Sequence, residues 1–285
     1  MSSHPAPTII VHGGVGRIRE NASAYLLACR DGARRGWQRL QQGASALDAV
    51  QSAVETLENN PLFNAGTGSA LNRCGHVQMD ASLMEGHTLR CGAVAAVTKV
   101  KNPIAVARAV LEDGEHVLLC GDGALEFARH NALTLCAEDA LVVPRQRSRW
   151  ERKYGTVGCV AVDNEGRTAA ATSTGGIMGA LPGRIGDSAL IGCGTCANEH
   201  GAVSCTGLGE AIIRTGLARM ALEIMRTTFD PAAVVNEALV DFYRHTDAEA
   251  GLIMVDHQGR MGWAHNTPHM PVCVITGDGS YSEHL

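Results

Sequence analysis

Hydrophobic positions along this chain switch between two periods, and the switches mark its elements. Residues 8–11 form a β-branched run that reads as a short strand, ending in His12-Gly13-Gly14. Between residues 22 and 42 the apolar positions Tyr25, Leu26, Cys29, Ala33, Trp37 and Leu40 recur at three- and four-residue steps, and Gly43 supplies a stop. Ser45-Ala46-Leu47-Asp48 carries a capping-box signature for a second helix, which Pro61 prevents from running far past Asn59. A Gly/Asn-rich loop over 60–72 leads to strands at 77–84 and 91–97, then helices at 103–112 and 122–131. Residues 137–155, rich in Arg and breakers, read as a connector. The pattern then restarts with strands at 156–163 and 167–173 around the turn Asn164-Glu165-Gly166. A glycine-rich loop, a strand at 202–205, helices at 210–227 and 231–246, and strands at 252–256, 261–264 and 272–276 complete the chain. Hairpin-spaced strands and paired long helices predict antiparallel sheet covered by helices, rather than βαβ units. No internal repeat or low-complexity segment interrupts this.

The 285 residues suffice for one large core or two modest domains. A 45% hydrophobic and 19% charged composition is that of a globular protein, and 33 glycines with 4% aromatics suit close packing of strands and helices. A net charge of −5 weighs against a nucleic-acid partner. No apolar run reaches the roughly 18 residues of a membrane span, and MSSHPAP has no basic or apolar signal region, so neither membrane nor export is expected. Ten cysteines scattered through apolar segments read as buried free thiols, which makes the cytoplasm the expected compartment.

The candidate chemistry starts in mid-chain. Thr156 lies between Gly155 and Val157-Gly158, after the basic residues Arg145, Arg147, Arg149, Arg152 and Lys153. A threonine there is ordinarily a strand former. If the Gly155–Thr156 bond is cut, however, one residue carries both a nucleophilic hydroxyl and an α-amine base. Thr174 ends the second strand of the same hairpin, where it orients Thr156 or simply closes a β-branched strand. Arg184 and Asp187, three apart in a glycine-flanked loop, complement the carboxylate and ammonium of an amino acid; they also suit a local surface ion pair. Thr206 and the following Gly207-Leu208-Gly209 form an oxyanion hole or a helix cap. Residues 60–68, including Asn64, cover a site or form a structural loop.

Rival signatures carry less. Gly192-Cys193-Gly194-Thr195-Cys196-Ala197 fits a dinucleotide fingerprint but lacks the helix that must follow it. Its Cys193/Cys196 pair has no second CxxC. His12-Gly13-Gly14 has no nucleophile elbow to serve, and the 12 histidines form no H-E-x-x-H or H-x-H pair.

Taken in order, VHGGVG (11–16), NPLFNAGTGSALN (60–72), QMDASLMEG (78–86), GAVAAVTKVKNPI (92–104), GTVGCVAVD (155–163), AAATSTGGIMGALPGRIGDSALIGCG (169–194), AVSCTGLGE (202–210) and GLIMVD (251–256) cover most of the chain. With these motifs it resembles the plant-type L-asparaginase / isoaspartyl peptidase family of N-terminal-nucleophile (Ntn) hydrolases. The resemblance implies an α+β, four-layer αββα sandwich: two mainly antiparallel sheets between helix layers. It implies a single domain that cuts itself into a 1–155 α subunit and a 156–285 β subunit. It gives Thr156 as nucleophile, Thr174 as its tuning partner, and Thr206 with the Gly207 amide as oxyanion hole. Arg184 and Gly209 are to hold the substrate carboxylate, Asp187 its ammonium, and Asn64 the reacting end. The implied substrates are asparagine and β-aspartyl dipeptides, with no cofactor for catalysis and a dimer of cleaved protomers. A structural sodium on the backbone carbonyls of Leu57, Glu58, Asn60, Phe63, Ala65 and Thr67 is also implied. A glycosylasparaginase-like activity and a catalytically silent, ligand-binding member are the alternatives. Tyr154, where relatives carry His or Met, and the apolar Ile177-Met178-Gly179-Ala180 depart from the pattern. These departures bear on cleavage efficiency and leaving-group preference.

Overall fold

The 8–11 run folds as β1 (Thr8–His12), buried along its whole length because packed layers meet both of its faces. It pairs antiparallel with β5 (Val157–Val162) on one side and β11 (Val272–Ile275) on the other. β6 (Thr168–Thr174), β2 (Met79–Glu85) and β3 (Cys91–Val97) extend the sheet, and two short strands form its edges. These are β4 (Leu118–Cys120), parallel to β3, and β12 (Tyr281–His284), on β11. The full order is β12-β11-β1-β5-β6-β2-β3-β4. A second, antiparallel sheet has the order β10-β9-β8-β7, from β7 (Thr195–Asn198), β8 (Gly201–Gly207), β9 (Ala250–Asp256) and β10 (Met261–His265). This computed structural model describes residues 6–144 and 155–285; Tyr154 and the basic segment before it lie outside the described residues.

Alternation along the strands divides the core into two. Ile9, Val11, Cys159, Ala161, Ala169 and Ala171 face outward onto α1 (Ala22–Gln41), α2 (Ala46–Glu58) and α3 (Pro103–Asp113), with α4 (Gly121–His130) beside β3. Ile10, Val160, Val162 and Ala170 face the second sheet, which α5 (Gly209–Thr215), α6 (Leu217–Thr228) and α7 (Pro231–Thr246) cover from the far side. The layers are therefore α, β, β, α, as expected. The Ser45/Asp48 capping box forms in both directions, with Asp48 N–H donating to Ser45 Oγ at 3.2 Å and Ser45 N–H to Asp48 Oδ2 at 3.3 Å.

Three strands and one helix break depart from the sequence pattern. β4 and β12 are too short and exposed to show alternation. β7 begins inside the Gly192–Ala197 stretch, whose glycines make a turn into a strand and no phosphate cradle. The single helix expected over 210–227 breaks at Gly216, which caps α5 with φ +61 before α6 restarts.

Candidate active site

Thr156 immediately precedes β5 and is buried. The β5–β6 register pairs Val157 with Ser173, so its next step sets Thr156 against Thr174, as the hairpin reading expected. The loop after β1 backs this end of the sheet. At Gly14, with φ +92, a Cβ would come within 2.8 Å of Gly155 Cα and 2.9 Å of the Thr156 carbonyl oxygen, so no side chain fits between this loop and the Gly155–Thr156 bond. Asn64 also lies against Gly155, where a Cβ would sit 3.1 Å from Asn64 Cβ. The Asn64 amide donates to Gly176 O at 2.7 Å and accepts from Ala70 N–H at 2.7 Å, while its carbonyl accepts from Gly175 N–H at 2.8 Å. Asn64 thus fixes the turn that follows Thr174.

The oxyanion candidates arrive on β8. Thr206 is buried and its Oγ1 accepts from Val15 N–H at 3.3 Å, so one short loop bonds to Thr206 and packs on Thr156. Gly207 has φ +145, and a Cβ there would meet Glu249 O at 2.5 Å. Beside them His12 donates or accepts at Ser204 Oγ, 3.0 Å from Nε2, and takes the Gly14 N–H on Nδ1 at 3.2 Å. Acceptance at Nδ1 leaves the proton on Nε2. Burial pushes the ring's pKa down to about 3, against a bond to the Thr156 main chain that favours the charged form; the ring is neutral.

The head-group candidates sit in one loop. Asp187 is buried, and among the described residues its Oδ2 and the neighbouring Ser188 Oγ have no hydrogen-bond partner. Burial pushes Asp187 up to about 7; Arg184 opposes the rise, while Asp80 and Glu210 add to it. A buried, half-satisfied carboxylate is costly unless a cation completes it. A Cβ on Gly209 would lie 2.7 Å from Arg184 Nη2 and 2.8 Å from Asp187 Oδ1, so the glycine leaves both groups room. Asp80 ties this loop to the Thr174 end of the sheet. On β2 it pairs with Thr174, and its carboxylate accepts from Gly186 N–H and Ala96 N–H, each at 2.8 Å. Burial raises Asp80 to about 6, with those two bonds and Arg184 opposing. A small recess lined by Asn72, Gln78, Gly176, Ile177, Leu181 and Arg184 adjoins the same turn.

A family model described as asparaginase matches residues 5–154 and 145–283. The chain belongs to the asparaginase family. Among its relatives, the plant-type L-asparaginase of Pyrococcus abyssi is 43% identical over 291 residues, covering 92% of this chain and 94% of that protein. The isoaspartyl peptidase/L-asparaginase of Danio rerio is 42% identical over 274 residues, covering 90% and 88%. That of Bos taurus is 39% identical over 285 residues, covering 93% and 92%.

In this asparaginase-family chain the motif residues converge from both sheets. Three participants escaped the sequence reading. Asp80 was a carboxylate in an apolar strand, a signal that alternation alone could have raised. His12 was dismissed with the esterase motif. Glu210 lies in the SCTGLGE string, yet no spacing rule joins it to Arg184, whose Nε and Nη2 it holds at 3.0 Å each. The loop implied for sodium closes on itself: the carbonyls of Leu57, Glu58 and Asn60 accept from the N–H groups of Asn60, Thr67 and Phe63. The Glu58 carboxylate is buried, accepts from Ser173 Oγ at 2.6 Å, Asn102 Nδ2 at 3.0 Å and Ile104 N–H at 3.1 Å, and is pushed up to about 8 by burial.

Proposed function

We propose that this protein is an autoprocessed threonine amidohydrolase that converts L-asparagine to L-aspartate and ammonia and cleaves β-aspartyl dipeptides. The observation that carries the reading is the buried Asp187 carboxylate, unpartnered at Oδ2 and held beside Arg184 by the Asp80 tether to the Thr174 end of the sheet. The names of the archaeal and vertebrate relatives support the same substrates.

In maturation, Thr156 Oγ adds to the Gly155 carbonyl, the peptide nitrogen leaves as a new α-amine, and water hydrolyses the resulting ester. The products are residues 1–155 and 156–285. In turnover, the Thr156 hydroxyl attacks the substrate's side-chain carbonyl and gives its proton to that amine, whose pKa is near ~8. Thr174 orients the hydroxyl. The Thr206 hydroxyl and Gly207 N–H stabilise the oxyanion. The α-ammonium returns its proton to the departing ammonia or amino acid, leaving a β-aspartyl ester. Water, deprotonated by the same amine, then releases aspartate. Arg184 and the Gly209 main chain take the α-carboxylate, and Asp187 takes the α-ammonium. An ordinary α-linked aspartate has spent that carboxylate in the chain and does not fit.

Purified protein, incubated and run under denaturing conditions, should resolve into fragments beginning near Met1 and at Thr156 and should hydrolyse asparagine and β-aspartyl dipeptides. Thr156→Ala should stay whole and inactive. Activity that survives in an uncut chain, or in that variant, overturns the mechanism.

The carbonyl oxygens of the 57–67 loop are the donors a hard cation prefers, and a sodium ion there would brace the loop that carries Asn64. A melting temperature that is the same in sodium and tetramethylammonium chloride counts against it. Ten cysteines, all free thiols, support a reducing compartment such as the cytoplasm. The dimer of cleaved protomers is checked by light scattering.

A further inference from the structure

Arg184 and Asp187 stand three residues apart with opposite charges, and such neighbours ordinarily pair with each other. Among the described residues no ion pair joins them. Instead Glu210, the second residue of α5, reaches Arg184 across 26 positions of sequence and takes Nε and Nη2 as a two-pronged pair, 3.0 Å each. This uses one edge of the guanidinium and leaves the Nη1–Nη2 edge. Glycines border that remaining edge: a Cβ on Gly186 would lie 2.8 Å from Nη1, and one on Gly209 would lie 2.7 Å from Nη2. The open edge and the unpartnered Asp187 Oδ2 therefore coexist in one loop.

We propose that Glu210 is a positioning residue that holds Arg184 off Asp187, so that the guanidinium and the carboxylate stay separately available for the two charges of an amino-acid head group. The inference rests on the substrate reading given above. Without Glu210, Arg184 loses its fixed partner, while Asp187, whose Oδ1 lies with Arg184 Nη2 around Gly209, still has an unmet bond at Oδ2. The two would collapse onto each other and close the site from within. Glu210 is suited to this work because its side chain is 55% exposed, while that of Arg184 is 15% exposed. An exposed ion pair adds little to stability, so removing Glu210 spares the fold and acts on recognition.

The charged and titratable groups that face Asp187 are Arg184 in its own loop, Asp80 on β2, Glu210 on α5, and the thiols of Cys193 and Cys205. Exchanging Glu210 for Gln removes one negative neighbour and frees one positive partner, and both changes favour the ionised Asp187. The acid limb of kcat/KM should therefore move to lower pH in the variant, which a merely structural residue would not cause.

The test compares matured wild type, Glu210→Gln, Arg184→Ala and the double variant. L-Aspartate affinity is measured by calorimetry, and asparagine kinetics are measured across pH. Glu210→Gln should weaken aspartate binding and raise KM by about tenfold, with kcat within about twofold. The double variant should bind no worse than Arg184→Ala alone, since Glu210 acts through Arg184. Unchanged affinity in Glu210→Gln, or losses that simply add in the double variant, overturns the inference. If wild type binds aspartate but hydrolyses nothing, the proposed function falls while the calorimetry still decides the role of Glu210. If wild type does not bind aspartate at all, both fall.

Discussion

At the scale of single residues, the site is a set of charges kept short of partners. Asp187 is raised to about 7 because it is buried more than it is compensated, and in the proposed function the substrate's ammonium completes it. The sign follows for binding: below about pH 7 Asp187 takes a proton and loses its attraction for a cation, so kcat/KM should fall about tenfold per pH unit on that side. A flat profile from pH 7 down to pH 5 would remove Asp187 from recognition. The sign for stability is opposite. A folded-state pKa above the unfolded value makes the carboxylate a liability as pH rises from about 4 to 7. Asp187→Asn should therefore gain stability at pH 8, by an amount on the order of 1–3 kcal/mol, while losing substrate. Residue types and spacing raised Arg184 and Asp187 as a head-group pair or a local ion pair, and only the family motifs favoured the first. They did not disclose that Arg184 belongs to Glu210, because an ion pair across 26 residues leaves no local trace.

At the scale of elements, the two sheets are pinned together by a chain of buried hydroxyls. His12 on β1 contacts Ser204 on β8, Ser204 contacts Thr172 on β6 at 2.8 Å, and Thr172 accepts from Thr195 on β7 at 2.7 Å. Ser82 on β2 extends the chain to Thr195 at 2.8 Å and to the Ser188 carbonyl at 2.7 Å. Polar groups in that seam are costly unless all are satisfied. Ser204→Ala leaves the His12 Nε2–H without its acceptor and should lower stability by about 1–3 kcal/mol, read as a shift of the urea midpoint. A loss below about 0.5 kcal/mol would show that the chain does not hold the sheets. Each strand was legible where alternation was long enough to see. β4 and β12 were not, since a three- or four-residue exposed edge has no buried face to impose a pattern. The seam itself was invisible: Ser and Thr at alternate strand positions look like ordinary strand formers until a second sheet covers them.

At the scale of the whole molecule, the expected cut leaves two pieces that cannot part. In the order β12-β11-β1-β5-β6-β2-β3-β4, the first piece contributes β1 to β4 and the second contributes β5, β6, β11 and β12 to one sheet. β1 lies between two strands of the second piece, and β5 and β6 lie between strands of the first. The fragments should therefore coelute in size exclusion and separate only under denaturing conditions; separation in native buffer would contradict this interleaving. The sequence by itself determined the helix and strand periods, the alternating inward and outward faces, and the order of the motifs. Those are set by residues within a few positions of one another; they sufficed for antiparallel sheet covered by helices and for the family, and the resemblance to that family implied the layers. Which charges stay unpaired, what lies against the Gly155–Thr156 bond, and which hydroxyls meet between the sheets were decided only by tertiary structure. Each depends on distances between segments tens to hundreds of residues apart, which no local pattern encodes.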